Sequence, residues 1–344
     1  MQEIIINKNE AGQRIDKMLG KYLDKAPKSF IYKMLRKKNI TLNNKKAAGD
    51  EKLAEGDILK LFLSDDTINN FKSVANKALM AASKDNNISN TKNSNDNSND
   101  HSKKKIYDFT PDIIFENDDI ILANKPVGLL SQKATKDDIS INELLFKYCL
   151  DTNTINAEDL RSFNPSICNR LDRNTSGIIS FGKTLTGSRA LSKVFRNRSA
   201  GKFYRTIVLG EIKEFGRIEG YLTKDEKSNK VTISNKAFSD SSAIITEYNP
   251  IRSNGKYTLL EIKLVTGKTH QIRAHLASIG HPILGDLKYG GKDVMLFSLK
   301  HQLLHSYRLE LPKNLDCGLE SIAGKAFVAE LPSEFNRILK KAFQ

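Results

Sequence analysis

Ile15, Met18, Leu19, Tyr22 and Leu23 recur at the spacing of one helical face, which predicts an amphipathic helix ended by Pro27. Ser29 is the expected N-cap of a second helix, with Phe30, Ile31, Met34 and Leu35 inward and Lys33, Arg36, Lys37 and Lys38 outward as a cationic ridge. Short strands follow at 40–42 and 58–63, the latter entered through Glu55-Gly56-Asp57. Farther on, two apolar triplets, 113–115 and 120–122, flank a polar turn and read as a hairpin. Residues 178–181 form another strand-like run after a polar loop. A helix is expected from Thr269 to Ile279 with Gly280 as its stop, and a terminal one over 333–343, capped by Ser333 and buried through Phe335, Ile338, Leu339 and Ala342.

Between these segments the pattern lapses. From Ser83 to Lys105 the chain is nearly all Asn, Ser, Asp and Lys, with Ile88 its sole aliphatic residue, too little apolar surface to offset the entropy of ordering. Phe71, Val74, Ala78, Leu79 and Ala82 suggest a short helix leading into it. The expected organisation is a small unit over 1–63, a flexible linker over 64–105 and a larger unit over 106–344, an α+β arrangement.

Composition narrows the class. Apolar residues make up 39% of the 344 and charged residues 28%, enough for real cores. No apolar run reaches the roughly 18 residues of a membrane span, and Met1 to Arg14 is too polar for a secretory signal, so a cytoplasmic protein is expected. Cys149, Cys168 and Cys317 lack the spacing of a zinc or redox motif and read as reduced thiols. Lys and Arg number 55 against 40 Asp and Glu, a net +15 that favours a polyanionic partner, nucleic acid first. Residues 1–63 carry 14 basic against 8 acidic residues and 106–344 carry 34 against 27, so both units would meet that partner. Lysine richness also follows from genome base composition, and charge by itself does not decide.

The chemistry concentrates in Asn169-Arg170-Leu171-Asp172-Arg173-Asn174-Thr175-Ser176-Gly177. A polar loop between apolar strands presents one carboxylate, Asp172, among two arginines and two hydroxyls that can stabilise its charge. Residues 177–184 also match the phosphate-loop pattern G-x-x-x-x-G-K-[ST] letter for letter. That match is set aside because the loop interior would be an apolar, β-rich run. His270, His275 and His281 do not line one helical face, and no metal site is expected from them.

Two resemblances bear on these motifs. Arg14-Ile15-Asp16-Lys17, the basic helix after Ser29, the strand before Asn43-Asn44-Lys45 and the closing Glu-Gly-Asp resemble the S4 RNA-binding module, which implies a phosphate-binding role for Lys33, Arg36, Lys37 and Lys38. The 169–177 segment resembles the His-Arg-Leu-Asp-x-x-Thr-Ser-Gly signature of RluA-type pseudouridine synthases. The likeness extends through Asn124-Lys125-Pro126, Gly201-Lys202-Phe203-Tyr204, Thr266 to His275, Gly280 to Asp286 and Leu303-Leu304-His305. An S4-like unit ahead of them matches the RluC and RluD branches.

The resemblance implies a catalytic domain on a mixed, largely antiparallel sheet and isomerisation of uridine in RNA, with no cofactor and no metal. The base is cut from C1′, turned and rejoined through C5. Asp172 aligns with the essential aspartate, acting as nucleophile at C1′ or base at C2′. Tyr204 aligns with the tyrosine that stacks on the base, Arg273 with the aspartate's basic partner and Leu304 with an apolar pocket residue. Arg170, Asn169 and Thr175 are carried over as substrate contacts, Asn169 standing where the family has His. Ribosomal RNA is the favoured substrate and a monomer the expected state. The alternatives are a transfer-RNA enzyme and a non-catalytic RNA-binding or ribosome-assembly protein.

Overall fold

A computed structural model describes residues 1–7, 9–72, 110–135, 137–155, 160, 163–225, 230–291, 297–315 and 318–344. Two compact units result: one contains the N-terminal residues with 146–165 and 183–186, the other 110–145, 166–182 and 187–344, as far as these are described.

In the N-terminal residues the predicted stripe becomes helix α1 (Ile15–Tyr22), and the next becomes α2 (Lys28–Arg36). Both bury their apolar faces against a sheet of β1 (Gln2–Ile5), β2 (Ile40–Leu42), β3 (Lys45–Lys46) and β4 (Ile58–Leu61), in the order β1-β4-β2-β3. The β2–β3 hairpin turns on Asn43 and Asn44, both left-handed at φ 49° and 62°, as a tight two-residue turn requires and Asn tolerates. Ser29 is not the cap of α2. The helix begins one residue earlier at Lys28, and Pro27 precedes it without a side-chain capping bond, because proline already holds the extended φ from which a helix starts. Past residue 63 the chain stays folded: Ser64 caps helix α3 (Asp65–Asn70), whose Ile68, with Phe71, packs on the same core. The expected linker and the helix leading into it lie, from residue 73 to 105, outside the described residues.

The larger unit is built on eleven strands. β5 (Ile113–Glu116) and β6 (Ile120–Lys125) form the expected hairpin, followed by β7 (Ser166–Ile167), β8 (Ser176–Gly182), β9 (Gly201–Leu209), β10 (Gly216–Asp225) and β11 (Lys230–Ser234). β12 (Ser242–Ser253), β13 (Tyr257–Leu264), β14 (Leu304–Glu310) and β15 (Ala326–Val328) complete it. The main path runs β11-β10-β12-β13-β9-β14-β8-β6-β5, and every pairing is antiparallel except β14 with β8. The sheet is therefore mixed and largely antiparallel, and the class α+β. Helices α4 (Ile141–Asp151), α5 (Leu185–Arg196), α6 (Gln271–Ser278) and α7 (Ser333–Phe343) complete the described α-helices. The terminal helix starts at Ser333 itself, with Pro332 before it, so the expected serine cap is again a proline.

The phosphate-loop look-alike is β8, buried along its whole length, with no room to wrap an anion. Gly177 there has φ +107°, and a Cβ would overlap the backbone of Ser306 on the parallel neighbour. That close approach brings the loop before β8 beside β14 and, through β14, beside Tyr204 on β9.

Candidate active site

Asp172 sits between β7 and β8 on a loop bracketed by hydrogen bonds. Ser131 Oγ donates to the Leu171 carbonyl at 2.7 Å and accepts the Leu171 N–H at 3.0 Å. Gly128 and Arg173 exchange bonds, Gly128 N to Arg173 O at 3.0 Å and Arg173 Nε to Gly128 O at 3.0 Å. Within the loop, Thr175 N donates to the Asp172 carbonyl at 3.0 Å. The backbone around one carboxylate is thereby fixed before any substrate arrives.

Lys125, at the end of β6, is fully buried and donates to the carbonyls of Pro126 at 2.9 Å, Leu129 at 2.7 Å and Arg173 at 3.0 Å. Burial pulls its pKa down to about 7, opposed by the charge of Asp172. Three carbonyl acceptors match three N–H donors, which the ammonium form alone possesses. A buried cation thus ties the loop after β6 to the loop carrying Asp172.

Arg273 projects from α6 with its side chain 8% exposed. Its Nε and Nη2 form a two-pronged pair with Asp286, at 2.6 and 2.8 Å, and its Nη1 donates to Asp172 Oδ2 at 3.2 Å. The Asp286 side chain is 1% exposed and that of Asp172 26%, so the buried carboxylate anchors the guanidinium and the more open one faces the solvent side. Burial disfavours the charge on Arg273, but the bonds and charge of Asp286, helped by Asp172, more than offset this and raise its pKa. Asp286 follows Gly285, where φ is +82° and a Cβ would overlap the carbonyl of His301.

Tyr204 is buried on β9 opposite Ser306, in one apolar cluster with Leu171, Leu304, Ile262 and Ile272. Burial pushes its phenol up to about 12, with a hydrogen bond to Ser306 opposing and the nearby charge of Asp172 adding to the rise. The phenol is therefore protonated near neutral pH.

The structure brings Asp172, Arg273, Tyr204 and Leu304 together as the sequence motifs suggested. It turns two other residues inward. Asn169 Oδ1 accepts from Ser180 N at 2.7 Å and Ser180 Oγ at 2.8 Å, and its Nδ2 donates to Ile178 O at 3.3 Å, so the side chain fastens the loop to β8. Thr175 is buried and its hydroxyl accepts from Gln302 Nε2 at 3.4 Å. Both expected substrate contacts are engaged with the protein because the loop's own polar groups need partners once covered. Arg170 is exposed on the same loop as Asp172, and Lys33, Arg36, Lys37 and Lys38 are exposed on and just after α2. Lys125 and Asp286 lay within the motifs but carried no assigned role; a lone lysine ending an apolar strand was the available signal for the first.

His270, His275 and His281 diverge: the first faces Tyr289 and Asp172, the second bonds Thr246 Oγ1 at 2.8 Å, the third the Leu209 carbonyl at 2.9 Å. Among the described residues no group of three His, Cys, Asp or Glu is placed to hold a metal ion, and no helix is long and apolar enough to cross a membrane.

A carboxylate held by a guanidinium that a second carboxylate anchors, beside a protonated phenol in an apolar cluster, can supply an acid, a base or a nucleophile. Residues 119–278 match the RNA pseudouridylate synthase family. The chain is 32% identical to an uncharacterized RNA pseudouridine synthase of Mycoplasma genitalium, over 90% of this chain and 89% of that one. It is 30% identical to ribosomal large subunit pseudouridine synthase C of Rickettsia typhi, over 95% of this chain and 96% of that one. The fold resembles human RNA pseudouridylate synthase domain containing 4, with a TM-score of 0.54, 21% identity, and coverage of 67% of this chain and 92% of that one. The chain belongs to the RNA pseudouridine synthase family and is an isomerase acting on RNA.

Proposed function

We propose that Asp172 carries out the isomerisation of uridine, without cofactor, in large-subunit ribosomal RNA. The observation that carries this reading is the 3.2 Å contact of Asp172 with Arg273, an arginine locked in turn by the buried Asp286. An anion so held reaches the ribose at a fixed place, either to attack C1′ or to take the C2′ proton, and the base is released, turned and rejoined through C5. Tyr204 and Leu304 supply the apolar floor beneath the base, and the protonated phenol serves as a donor rather than a base at neutral pH. Arg170, exposed on the same loop, grips a phosphate or occupies the gap left by the flipped nucleotide.

Similarity over nearly the whole chain to enzymes named for the ribosomal large subunit supports that RNA as substrate. The sheet-and-helix unit at the N-terminus, with its exposed Lys33, Arg36, Lys37 and Lys38, acts as an S4-like RNA-binding domain, and the protein works as a cytoplasmic monomer. The test is tritium release from 5-tritiated uridine in unmodified ribosomal RNA transcripts. The parent protein releases tritium, and Asp172→Asn does not while keeping its melting temperature. Turnover by Asp172→Asn equal to the parent's removes the carboxylate from the mechanism. Carbodiimide mapping of pseudouridine in cells with and without the protein identifies the RNA, and loss confined to transfer RNA would refute the ribosomal assignment.

A further inference from the structure

His270 stands beside Asp172 with no part in the reading above. It precedes α6 with φ +54°, a left-handed conformation that non-glycine residues rarely adopt. Its side chain makes no capping bond to that helix. The ring, 10% exposed, spans two partners instead: Nδ1 lies 3.0 Å from Tyr289 Oη, and Nε2 lies 3.7 Å from Asp172 Oδ2. Tyr289 meets it edge-on with ring centres 5.7 Å apart, and the guanidinium of Arg273 lies over the Tyr289 ring at 5.1 Å.

Counting donors fixes the tautomer. Tyr289 Oη accepts the N–H of Val231 at 3.0 Å, and its own O–H has no other acceptor than His270 Nδ1 among the described residues. Donation there leaves the ring proton on Nε2, the nitrogen that faces the carboxylate. Burial raises the pKa of Tyr289, which keeps this phenol a donor. Burial lowers the pKa of His270, with Asp172 and Asp286 opposing and Arg273 and Lys288 assisting, which keeps the ring neutral near pH 7.

Arg273 Nη1 reaches the same carboxylate oxygen, Oδ2, that His270 faces, and no described side chain bonds Oδ1. We propose that His270 is a positioning residue for Asp172: held as the Nε2–H tautomer by Tyr289, it shares with Arg273 the fastening of Oδ2 and so presents Oδ1 to the ribose as the reacting oxygen. The inference rests on the pseudouridine synthase chemistry given above. The 3.7 Å separation exceeds a hydrogen bond, as catalytic contacts commonly do before substrate fills the site, and a shift of well under 1 Å closes it.

Two measurements on the full-length protein test this. In the first, nitrogen-15 shifts of labelled histidine, with His270 assigned from the spectrum of His270→Gln, report the ring's protonation at pH 7 without RNA. A neutral ring bearing its proton on Nε2, lost or mixed in Tyr289→Phe, is expected; the opposite tautomer or an imidazolium overturns the proposal. In the second, tritium release from unmodified large-subunit ribosomal RNA carrying 5-tritiated uridine is measured for the parent, His270→Ala, His270→Gln and Asp172→Asn. His270→Ala lowers kcat on the order of tenfold with KM unchanged, because the lost donor acts on the carboxylate and not on RNA binding. His270→Gln, whose amide N–H reaches nearly the same place, regains much of the loss, which a purely structural role would not produce. If His270→Ala keeps the parent's kcat while Asp172→Asn is inactive, the enzyme assignment stands and the role of His270 falls. A parent without turnover overturns both.

Discussion

Arg273 is shared between two carboxylates that do different work. Asp286 is buried and takes two of the three guanidinium contacts; Asp172 takes the third and stands partly open. The placement of Asp172 thus rests, through Arg273, on the more deeply buried carboxylate. Replacing Asp286 by Asn keeps the shape but weakens the anchor, and kcat in the tritium assay is expected to fall roughly tenfold with little change in KM. An unchanged kcat would mean that Asp172 is held well enough by its loop. Asp172, Tyr204 and Arg273 were legible as a set through the resemblance of their segments to the RluA-type motifs. Asp286 was in a motif too, yet its role was silent, since pairing across the gap from α6 to the segment after Gly285 leaves no periodic trace. Asn169 shows the opposite case: it was expected to contact substrate, and its side chain is bonded to Ser180 and Ile178 of β8.

Strands and loops carry the next level of organisation. β8 follows a polar loop and is buried along its length, and its parallel pairing with β14 sets the Asp172 loop near Tyr204. Gly177 makes that pairing possible. Gly177→Ala places a Cβ against Ser306 backbone at a φ unfavourable to alanine, and is expected to cost about 3–5 kcal/mol and lower the melting temperature by roughly 10 °C. A drop of less than a few degrees in a thermal scan would show that β14 can move aside. The apolar run of β8 identified it as a strand, and so disposed of the phosphate-loop match, before any coordinates. Which strand lies beside it could not be read, because a parallel neighbour more than a hundred residues away is chosen by packing and not by local pattern. The two expected serine caps lie one or two residues inside their helices: each helix follows a proline, which fixes φ but offers no side-chain acceptor.

For the molecule as a whole, net charge and buried titratable groups predict how it responds to its surroundings. If the ridge on and after α2 touches phosphates, changing Lys33, Arg36, Lys37 and Lys38 together to Ala reduces the slope of log K against log salt by up to about 4 while leaving kcat on saturating RNA intact. Equal slopes would place RNA elsewhere. His275 and His305 are wholly buried, and burial pushes each from the ordinary 6.5 down to about 4. His305 accepts from Ser176 at Nδ1 and donates to the Ala329 carbonyl from Nε2, the pattern of a neutral ring. Below 6.5 the unfolded chain takes up protons that the folded one refuses, so stability is full above that pH and is lost as pH falls toward 4. Between pH 6.5 and 5 the loss is expected to reach roughly 1.6 kcal/mol for each histidine, read as a falling urea midpoint; a flat midpoint there would show that the rings are protonated in place.

Residue types and their spacing already determined the helices α1, α2 and α6, the β5–β6 hairpin, the basic balance and the acidic residue at 172, because periodicity, turn chemistry and charge act over a few neighbouring positions. Tertiary structure decided which oxygen of Asp172 is fastened, that Lys125 is sealed among three carbonyls, and that Arg273 belongs to two acids, because such contacts join segments far apart in the chain and depend on the angle at which one strand lies on another.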